Sequence, residues 1–174
     1  MIEPWVKLTE APDRIGYRKV LRCDFQLPDG RVDRYDIKDE AHYVAVFALT
    51  DDQKVVLARQ FRPGPEAVLM EMPGGAVEPG ESPERAAARE LLEETGCVGD
   101  LQPLGYSFVC AYSNAKQYNF IATHCRRVQP PAPDANEFIE PIDLPLDAFR
   151  DHLRSGQITN VATGYLGLDA LGLL

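Results

Sequence analysis

The sequence has few cysteines and histidines, and they are widely spaced. Its 174 residues contain three histidines and four cysteines, Cys23, Cys97, Cys110 and Cys125, with no CxxC pair. This spacing argues against a zinc site and against a disulfide framework. A chain of this length buries enough apolar surface to fold without such cross-links. The pattern therefore predicts reduced thiols and a cytoplasmic protein.

Long apolar runs and an excess of basic residues are also missing. No apolar segment approaches the ~18 residues of a membrane span, and the acid and proline among the first five residues are not typical of a signal peptide. The net charge of -9, from 27 acidic and 18 basic residues, argues against a nucleic-acid-binding protein, which needs a basic surface. A negatively charged small substrate is still compatible with this charge, because divalent cations can lie between carboxylates and a phosphate.

Two regions are predicted from the apolar pattern and the turns. Residues 1–40 form an N-terminal β region in which 16–26 and 31–37 are the strands of an antiparallel hairpin. Two strands alone are marginally stable in water, so we expect this region to pack on the main domain or on a second subunit. Residues 41–174 form the main domain, with predicted strands at 43–49, 54–58, 106–110, 118–123 and 138–142 and predicted helices at 145–153 and 159–174.

A further helix is predicted between Ser82 and Gly96. Ser82 is a favourable N-cap, Pro83 suits the first turn, and Gly96 is placed to end the helix. At about 100° per residue, three glutamates share one face; these are Glu90, Glu93 and Glu94. The residues expected to face the core are Ala87, Ala88, Leu91 and Thr95.

The shared face of glutamates is unfavourable without a counter-charge. Like charges on one helical face repel each other, whereas a hard divalent cation such as Mg²⁺ binds oxygen ligands. The glycines of the preceding loop, residues 71–81, allow backbone carbonyls to approach a metal closely, and Glu81 could add a carboxylate or orient its neighbours. The alternative for the glutamates is a solvated acidic face.

The spacing of these residues resembles the Nudix box at every position, from Gly75 through Glu81, Arg89-Glu90-Leu91 and Glu93-Glu94 to Gly96 and Cys97. The resemblance implies an α/β fold, a Nudix-type α/β/α sandwich with a mixed sheet, here preceded by a small N-terminal antiparallel sheet. It also implies hydrolysis of a nucleoside diphosphate linked to another moiety, with two or three Mg²⁺ or Mn²⁺ ions.

The resemblance also implies roles for single residues. Glu90 and Glu94 should be metal ligands, with Glu93 ligating or assisting catalysis. The Gly74 carbonyl should be a backbone ligand, and Arg89 should position acids such as Glu81. Gly75, Glu81 and Gly96 would then be the structural positions of the box.

The flanking residues resemble the ADP-ribose pyrophosphatase branch of that family. The resemblance rests on Arg59-Gln60-Phe61-Arg62, on the entry segment 71–75, and on an N-terminal sheet that the branch uses in dimerisation. It implies a homodimer that cleaves ADP-ribose to AMP and ribose 5-phosphate. The implied substrate-binding residues are Arg59, Arg62, Glu71 and Ser113, although both arginines could instead form surface or dimer salt bridges.

Two alternatives to ADP-ribose hydrolysis stay open. The segment 110–114 lacks the proline that many members of the branch carry, so the substrate could be another nucleoside diphosphate sugar, such as GDP-mannose, or a dinucleotide. A Nudix-like ligand sensor that does not hydrolyse is disfavoured, because such proteins tend to lose acids of the box and this chain keeps them all.

The base that deprotonates water is expected on a loop far from the box. The proline-rich segment 128–136 cannot form a helix or a central strand, and a long loop at a strand end is suited to act as a lid. Glu137 at its end is the first candidate, and Glu140 is the second unless it lies within a strand. The alternative for Glu137 is a solvated loop acid.

Overall fold

The computed structural model describes residues 18–174, so the first part of the predicted N-terminal β region, residues 1–17, lies outside the described residues. Two strands form a separate antiparallel sheet, β1 (Lys19–Gln26) and β2 (Val32–Asp39). The main sheet contains β3 (Tyr43–Thr50), β4 (Lys54–Arg62), β5 (Ala67–Glu71), β6 (Cys97–Phe108), β7 (Lys116–Arg127) and β8 (Ile139–Pro145). The helices are α1 (Pro83–Thr95), α2 (Leu146–Ser155) and α3 (Val161–Ala170).

The main sheet is mixed. Its strands follow the order β5-β4-β3-β7-β6, and β8 also pairs with β4. The pairing of β3 with β7 is parallel, whereas the other pairings are antiparallel. The predicted mixed α/β sheet, preceded by a small antiparallel sheet, is therefore confirmed.

Both faces of β3 are buried, which explains its uninterrupted apolar sequence. Because side chains alternate along a strand, Val44 and Val46 pack with α1 in one core cluster, whereas Ala45 and Phe47 pack with residues of α2 and α3 in the other. A strand covered on both faces carries a continuous apolar run in place of an alternating one. The sheet thus lies between two helical layers.

Several element boundaries differ from the prediction. β4 extends to Arg62, so the segment 59–62 belongs to a strand and does not follow one. β5 was not predicted, and β6 begins at Cys97, directly after α1, and not near residue 106. Pro103 and Gly105 interrupt the strand pattern of β6 in the sequence; the strand accommodates them because it is at the edge and shifts register there.

The two C-terminal helices are found near their predicted positions. Gly156 ends α2 with φ of 71°, in the left-handed conformation that glycine favours. α3 is shorter than predicted, because Asn160 before it and Gly172 after it both have positive φ. No helix in residues 18–174 combines the length and the apolar character that a membrane crossing requires. The four cysteines, all within this range, are free thiols.

Candidate active site

Helix α1 is fixed at both ends by the residues that its sequence offers. The Ser82 hydroxyl accepts a hydrogen bond from the Arg85 N–H at 3.3 Å, and the Gly96 N–H donates to the Leu92 carbonyl at 2.8 Å. Gly96 has φ of 71°, and a Cβ there would overlap the Gln129 carbonyl oxygen. Glycine is therefore required at this position both for its conformation and for the close approach of the chain.

The buried face of α1 differs from the predicted one. Ala86, Ala87, Leu91 and Thr95 are buried, but so is Glu94, whereas Ala88 is exposed. The prediction that Ala88 faces the core was wrong, because the helix is rotated toward the sheet enough to bring Ala86 and Glu94 inward. Glu94 is 3 % exposed, while the side chain of Glu93 is 41 % exposed. The three glutamates thus occupy environments of different polarity.

The loop before α1 lies against strand β3. The Val46 N–H donates to the Pro73 carbonyl and the Val44 N–H donates to the Gly75 carbonyl, each at 2.9 Å. A Cβ on Gly74 would overlap the Val44 carbonyl oxygen, and one on Gly75 would overlap the Glu90 carboxylate. Gly74 therefore lets the loop lie close to β3, and Gly75 lets it lie close to Glu90 of α1. The Gly74 N–H donates to Glu94 Oε2 at 2.8 Å, which joins the loop to the helix.

Arg89 lies at the centre of the acidic residues of α1. Its Nε and Nη2 atoms each lie 3.1 Å from an oxygen of Glu81. Its Nη1 donates to Glu90 at 2.8 Å and to Glu93 at 3.0 Å, and Nη2 also donates to the Ala76 carbonyl at 3.0 Å. These hydrogen bonds raise the pKa of Arg89 and lower the pKa of Glu81. Arg89 therefore holds the loop and three carboxylates in one network.

Glu94 is buried and Glu90 is half-buried, and both lie near a third acid, Glu137. The pKa of Glu94 is raised to about 8, chiefly by burial; the Glu90 and Glu137 carboxylates contribute to the rise, and the Gly74 N–H and Arg62 oppose it. Burial also raises the pKa of Glu90, which Arg89 opposes and Glu93 and Glu137 reinforce. The loop acid Glu137 therefore faces the glutamates of α1.

A cleft of about 420 Å³ opens beside these acids. Among the predicted site residues, it is lined by Gly74, Gly75, Glu94, Arg62, Glu71 and Glu137. The cleft brings together groups that lie more than 70 positions apart in the sequence, from strand β4, the loop before α1, α1 itself and the loop before β8.

Arg62 is held in the cleft by a fully buried acid. Its Nε donates to Glu71 Oε2 at 2.5 Å, and the Thr159 hydroxyl donates to the other oxygen of Glu71. Because both oxygens of Glu71 are engaged and its side chain is 0 % exposed, this residue orients Arg62.

Two predicted substrate-binding residues do not line the cleft. Arg59 Nη2 lies 2.9 Å from Glu140 Oε2, across the β4–β8 pairing, which agrees with the alternative of an ion pair. Glu140 lies within β8 and is therefore less suited than Glu137 to act as a mobile base. The Ser113 hydroxyl donates to Glu40 at 3.3 Å, and only Glu40 of this pair lines the cleft.

The acids do not form a ready-made metal site. Within residues 18–174, no group of three Asp, Glu, His or Cys side chains is arranged to hold a metal ion. The reason is that Glu90 and Glu93 turn toward Arg89, while Glu94 turns toward the Gly74 N–H. Cation binding would have to compete with these hydrogen bonds.

Among the cleft residues that were not singled out from the sequence are Gln117, Thr159 and Asn160. Thr159 and Asn160 immediately precede α3, and the αL backbone of Asn160, with φ of 56°, begins that helix. The alternation of Gln117 and Asn119 with Tyr118 and Phe120 at the start of β7 could have drawn attention to Gln117.

The comparisons with known proteins agree with the box and the fold. The NUDIX domain model matches residues 40–160. The chain is 30 % identical over 163 residues to an ADP-ribose pyrophosphatase of Bacillus subtilis (strain 168), covering 90 % of this chain and 88 % of that one. It is 32 % identical over 152 residues to a methanol dehydrogenase activator of Bacillus methanolicus, covering 83 % and 82 %.

A solved structure described as that of an ADP compounds hydrolase superposes with a TM-score of 0.77 and 24 % identity, covering 100 % of this chain and 99 % of that one. At this identity, the likeness shows the fold. The family model covers most of the chain and includes the Gly75–Cys97 box, so the prediction made from that box is confirmed: the chain belongs to the Nudix family.

Proposed function

We propose that this Nudix protein is a pyrophosphohydrolase that cleaves ADP-ribose to AMP and ribose 5-phosphate. The observation that carries the proposal is the convergence of Glu94, Glu90 and Glu137 beside a cleft that also contains Arg62. The name of the B. subtilis relative, which aligns over nearly the whole chain, supports ADP-ribose as the substrate.

The donor set of the cleft fits a hard divalent cation. The candidate ligands are all oxygen atoms, and neighbouring carboxylates contribute to the raised pKa of Glu94 and of Glu90, so a cation bound there would relieve the repulsion between these acids. Glu90, Glu94, Glu93 and the Gly74 carbonyl would hold two or three Mg²⁺ or Mn²⁺ ions. When bound, such ions neutralise the diphosphate and lower the pKa of a coordinated water.

The chain's own residues have distinct tasks in this proposal. Glu137 accepts the proton of the attacking water from the loop side of the cleft. Arg62, oriented by Glu71, binds a phosphate of the substrate through its planar guanidinium. Arg89 positions Glu90 and Glu93, and Glu81 fixes Arg89 in turn.

The test is product analysis with purified protein. We expect ADP-ribose to give AMP and ribose 5-phosphate in the presence of Mg²⁺ or Mn²⁺, and no turnover in excess EDTA, as measured by anion-exchange chromatography. Parallel reactions with GDP-mannose, other nucleoside diphosphate sugars and dinucleotides rank the alternative substrates by kcat/KM. Absence of AMP from ADP-ribose at any divalent ion concentration contradicts the proposal.

We also propose that the β1–β2 hairpin mediates a homodimer and that the protein is cytoplasmic. The free cysteines support the compartment. One face of the hairpin has an apolar centre that is exposed or half-exposed, formed by Leu21, Cys23, Phe25, Tyr35 and Ile37. Light scattering at micromolar concentration should give the mass of a dimer, and a monomer would contradict the proposal.

A further inference from the structure

A buried polar network links strand β7, helix α3 and strand β6 to the cleft. Asn119 and Thr163 are each 0 % exposed. Gln117 is half-buried and lines the cleft, so it is the member of the network that a ligand can reach. Burying a polar group costs free energy unless the group is hydrogen-bonded, so the hydrogen bonds of these residues are expected to be well defined.

The hydrogen bonds of the network set the orientation of each amide. The Asn119 Nδ2 donates to the main-chain carbonyl of Gln117 and to the Ser107 hydroxyl, both at 3.4 Å. Because a carbonyl oxygen can only accept, the Asn119 Oδ1 points the other way, where it accepts from the Thr163 hydroxyl at 2.7 Å.

Hydrogen bonds also fix the orientation of the Gln117 side-chain amide. Its Nε2 donates to Asn119 Oδ1 and to Thr163 Oγ1, each at 3.0 Å. Both amide hydrogens are therefore used, and a flipped amide would place two acceptors, Oε1 and Asn119 Oδ1, against each other. No donor within residues 18–174 reaches the Gln117 Oε1 atom, so the network presents a hydrogen-bond acceptor to the cleft.

The register of the sheet gives the distance from this acceptor to the loop before α1. Gln117 pairs with Tyr43 across β7 and β3, and Tyr43 pairs with Ala76 of the loop. Two strand spacings separate the Cα atoms of Gln117 and Ala76 by about 10 Å. The acceptor thus lies to one side of the acids at which a diphosphate would be cleaved.

We propose that Gln117 is a specificity-determining residue whose Oε1 accepts a hydrogen bond from a hydroxyl of a substrate sugar, and that Asn119 and Thr163 are its positioning residues. A carbonyl oxygen repels the oxygens of an ionised phosphate, so it selects a donor such as a hydroxyl. The hydroxyl belongs either to the ribose of the nucleoside or to the distal sugar. The inference rests on the proposed function, since it names what the cleft recognises beside the diphosphate.

The first experiment compares the wild type with Gln117→Met, which keeps the length of the side chain and removes its amide. Loss of one hydrogen bond should reduce kcat/KM for ADP-ribose about three- to tenfold, chiefly through KM, because the bond is present in the bound substrate as in the transition state. A set of monodeoxy analogues, each lacking one hydroxyl of the nucleoside ribose or of the distal ribose, then identifies the partner. The wild type should lose a similar factor on one analogue, and the variant should lose almost nothing on that same analogue.

A second pair of variants tests the positioning role and replaces Gln117→Met if that protein does not fold. Thr163→Val should raise KM with little change in kcat, whereas Thr163→Ser, which keeps the hydroxyl, should restore the wild-type KM. Equal discrimination among the analogues by wild type and variants would overturn the assignment to Gln117. If the wild type does not hydrolyse ADP-ribose at all, the proposed function fails; if it does but no hydroxyl couples to Gln117, only this inference fails.

Discussion

The segment from Gly74 to Gly96 and the β1–β2 hairpin are both conspicuous in the sequence, but they are stabilised very differently. The first is fixed on all sides: by its caps, by Arg89, and by glycines that contact β3 and Glu90. The hairpin has no buried apolar residue and contacts the main domain mainly near residues 112–114, where the Lys38 N–H donates to the Tyr112 carbonyl and Tyr35 stacks on Tyr112.

The difference shows that the number of residue types acceptable at a position depends on how closely that position is packed. Where the chain packs closely and carries charge, nearly every position has one acceptable residue, so the pattern is specific. Where two strands are half-exposed, many residue types are acceptable at each position. The apolar face of such a hairpin indicates that it packs against another surface, but it does not identify that surface. Substitutions in the two regions should therefore have effects of very different size.

The largest effect is expected from Glu94→Gln, which keeps the shape of the side chain and removes a charged oxygen from the acid cluster. We expect kcat for ADP-ribose with Mg²⁺ to fall by roughly 10²- to 10⁴-fold, as for other groups that stabilise charge in a transition state. Glu84→Gln, an exposed position on the same helix, is the matched control and should retain activity. Equal activity of Glu94→Gln and wild type would refute the role of Glu94.

Gly74→Ala should be the most destabilising small change in the loop. The added methyl group would overlap the Val44 carbonyl oxygen and approach the Ala45 backbone, so the loop must move away from β3. We expect a loss of about 2 kcal/mol or more in the free energy of unfolding. Gly64→Ala, where an added Cβ meets nothing within 4 Å, should be within about 0.5 kcal/mol of wild type in the same urea titration.

A smaller, pH-dependent effect should come from the buried Glu94. Its pKa of about 8 in the folded protein lies above the ordinary value of 4.5, so between these values the folded state binds a proton that the unfolded state does not. Stability in EDTA should therefore decrease as the pH rises from about 5 to about 8, by up to a few kcal/mol from this group.

Glu94→Gln should remove most of this slope, because the amide does not titrate. The measurement is the free energy of unfolding from urea titrations of both proteins across that pH range. The same slope in wild type and variant would show that Glu94 is not a buried, protonated acid in the metal-free protein.

The smallest effect on stability is expected in the hairpin. Phe25→Asp, on its apolar face and 50 % exposed, should change the free energy of unfolding of the monomer by less than about 1 kcal/mol but shift the proposed dimer toward monomer. Val20→Asp, on the charged face, is the control and should leave the oligomeric state unchanged. Sedimentation velocity distinguishes them, and equal behaviour of the two variants would remove the apolar face as the interface.

The sequence alone determined the elements that are specified by residues close to one another in the chain. Helix α1, its caps and the face shared by its glutamates follow from the identity and spacing of about 15 consecutive residues, and the buried strand β3 follows from its apolar run. These features need few distant contacts, because capping, helical periodicity and apolar patterning act over one or two turns or one strand.

Only the tertiary structure decided which acids are buried and which polar residues meet. The small rotation that buries Glu94 and exposes Ala88 depends on how α1 packs on the sheet, and the partner of Arg59 depends on the pairing of β4 with β8. The orientation of the Gln117 amide depends on Thr163, 46 residues away. Such contacts are set by long-range packing. From the sequence, many residues could be the partner of a given side chain, and only the fold determines which of them lies beside it.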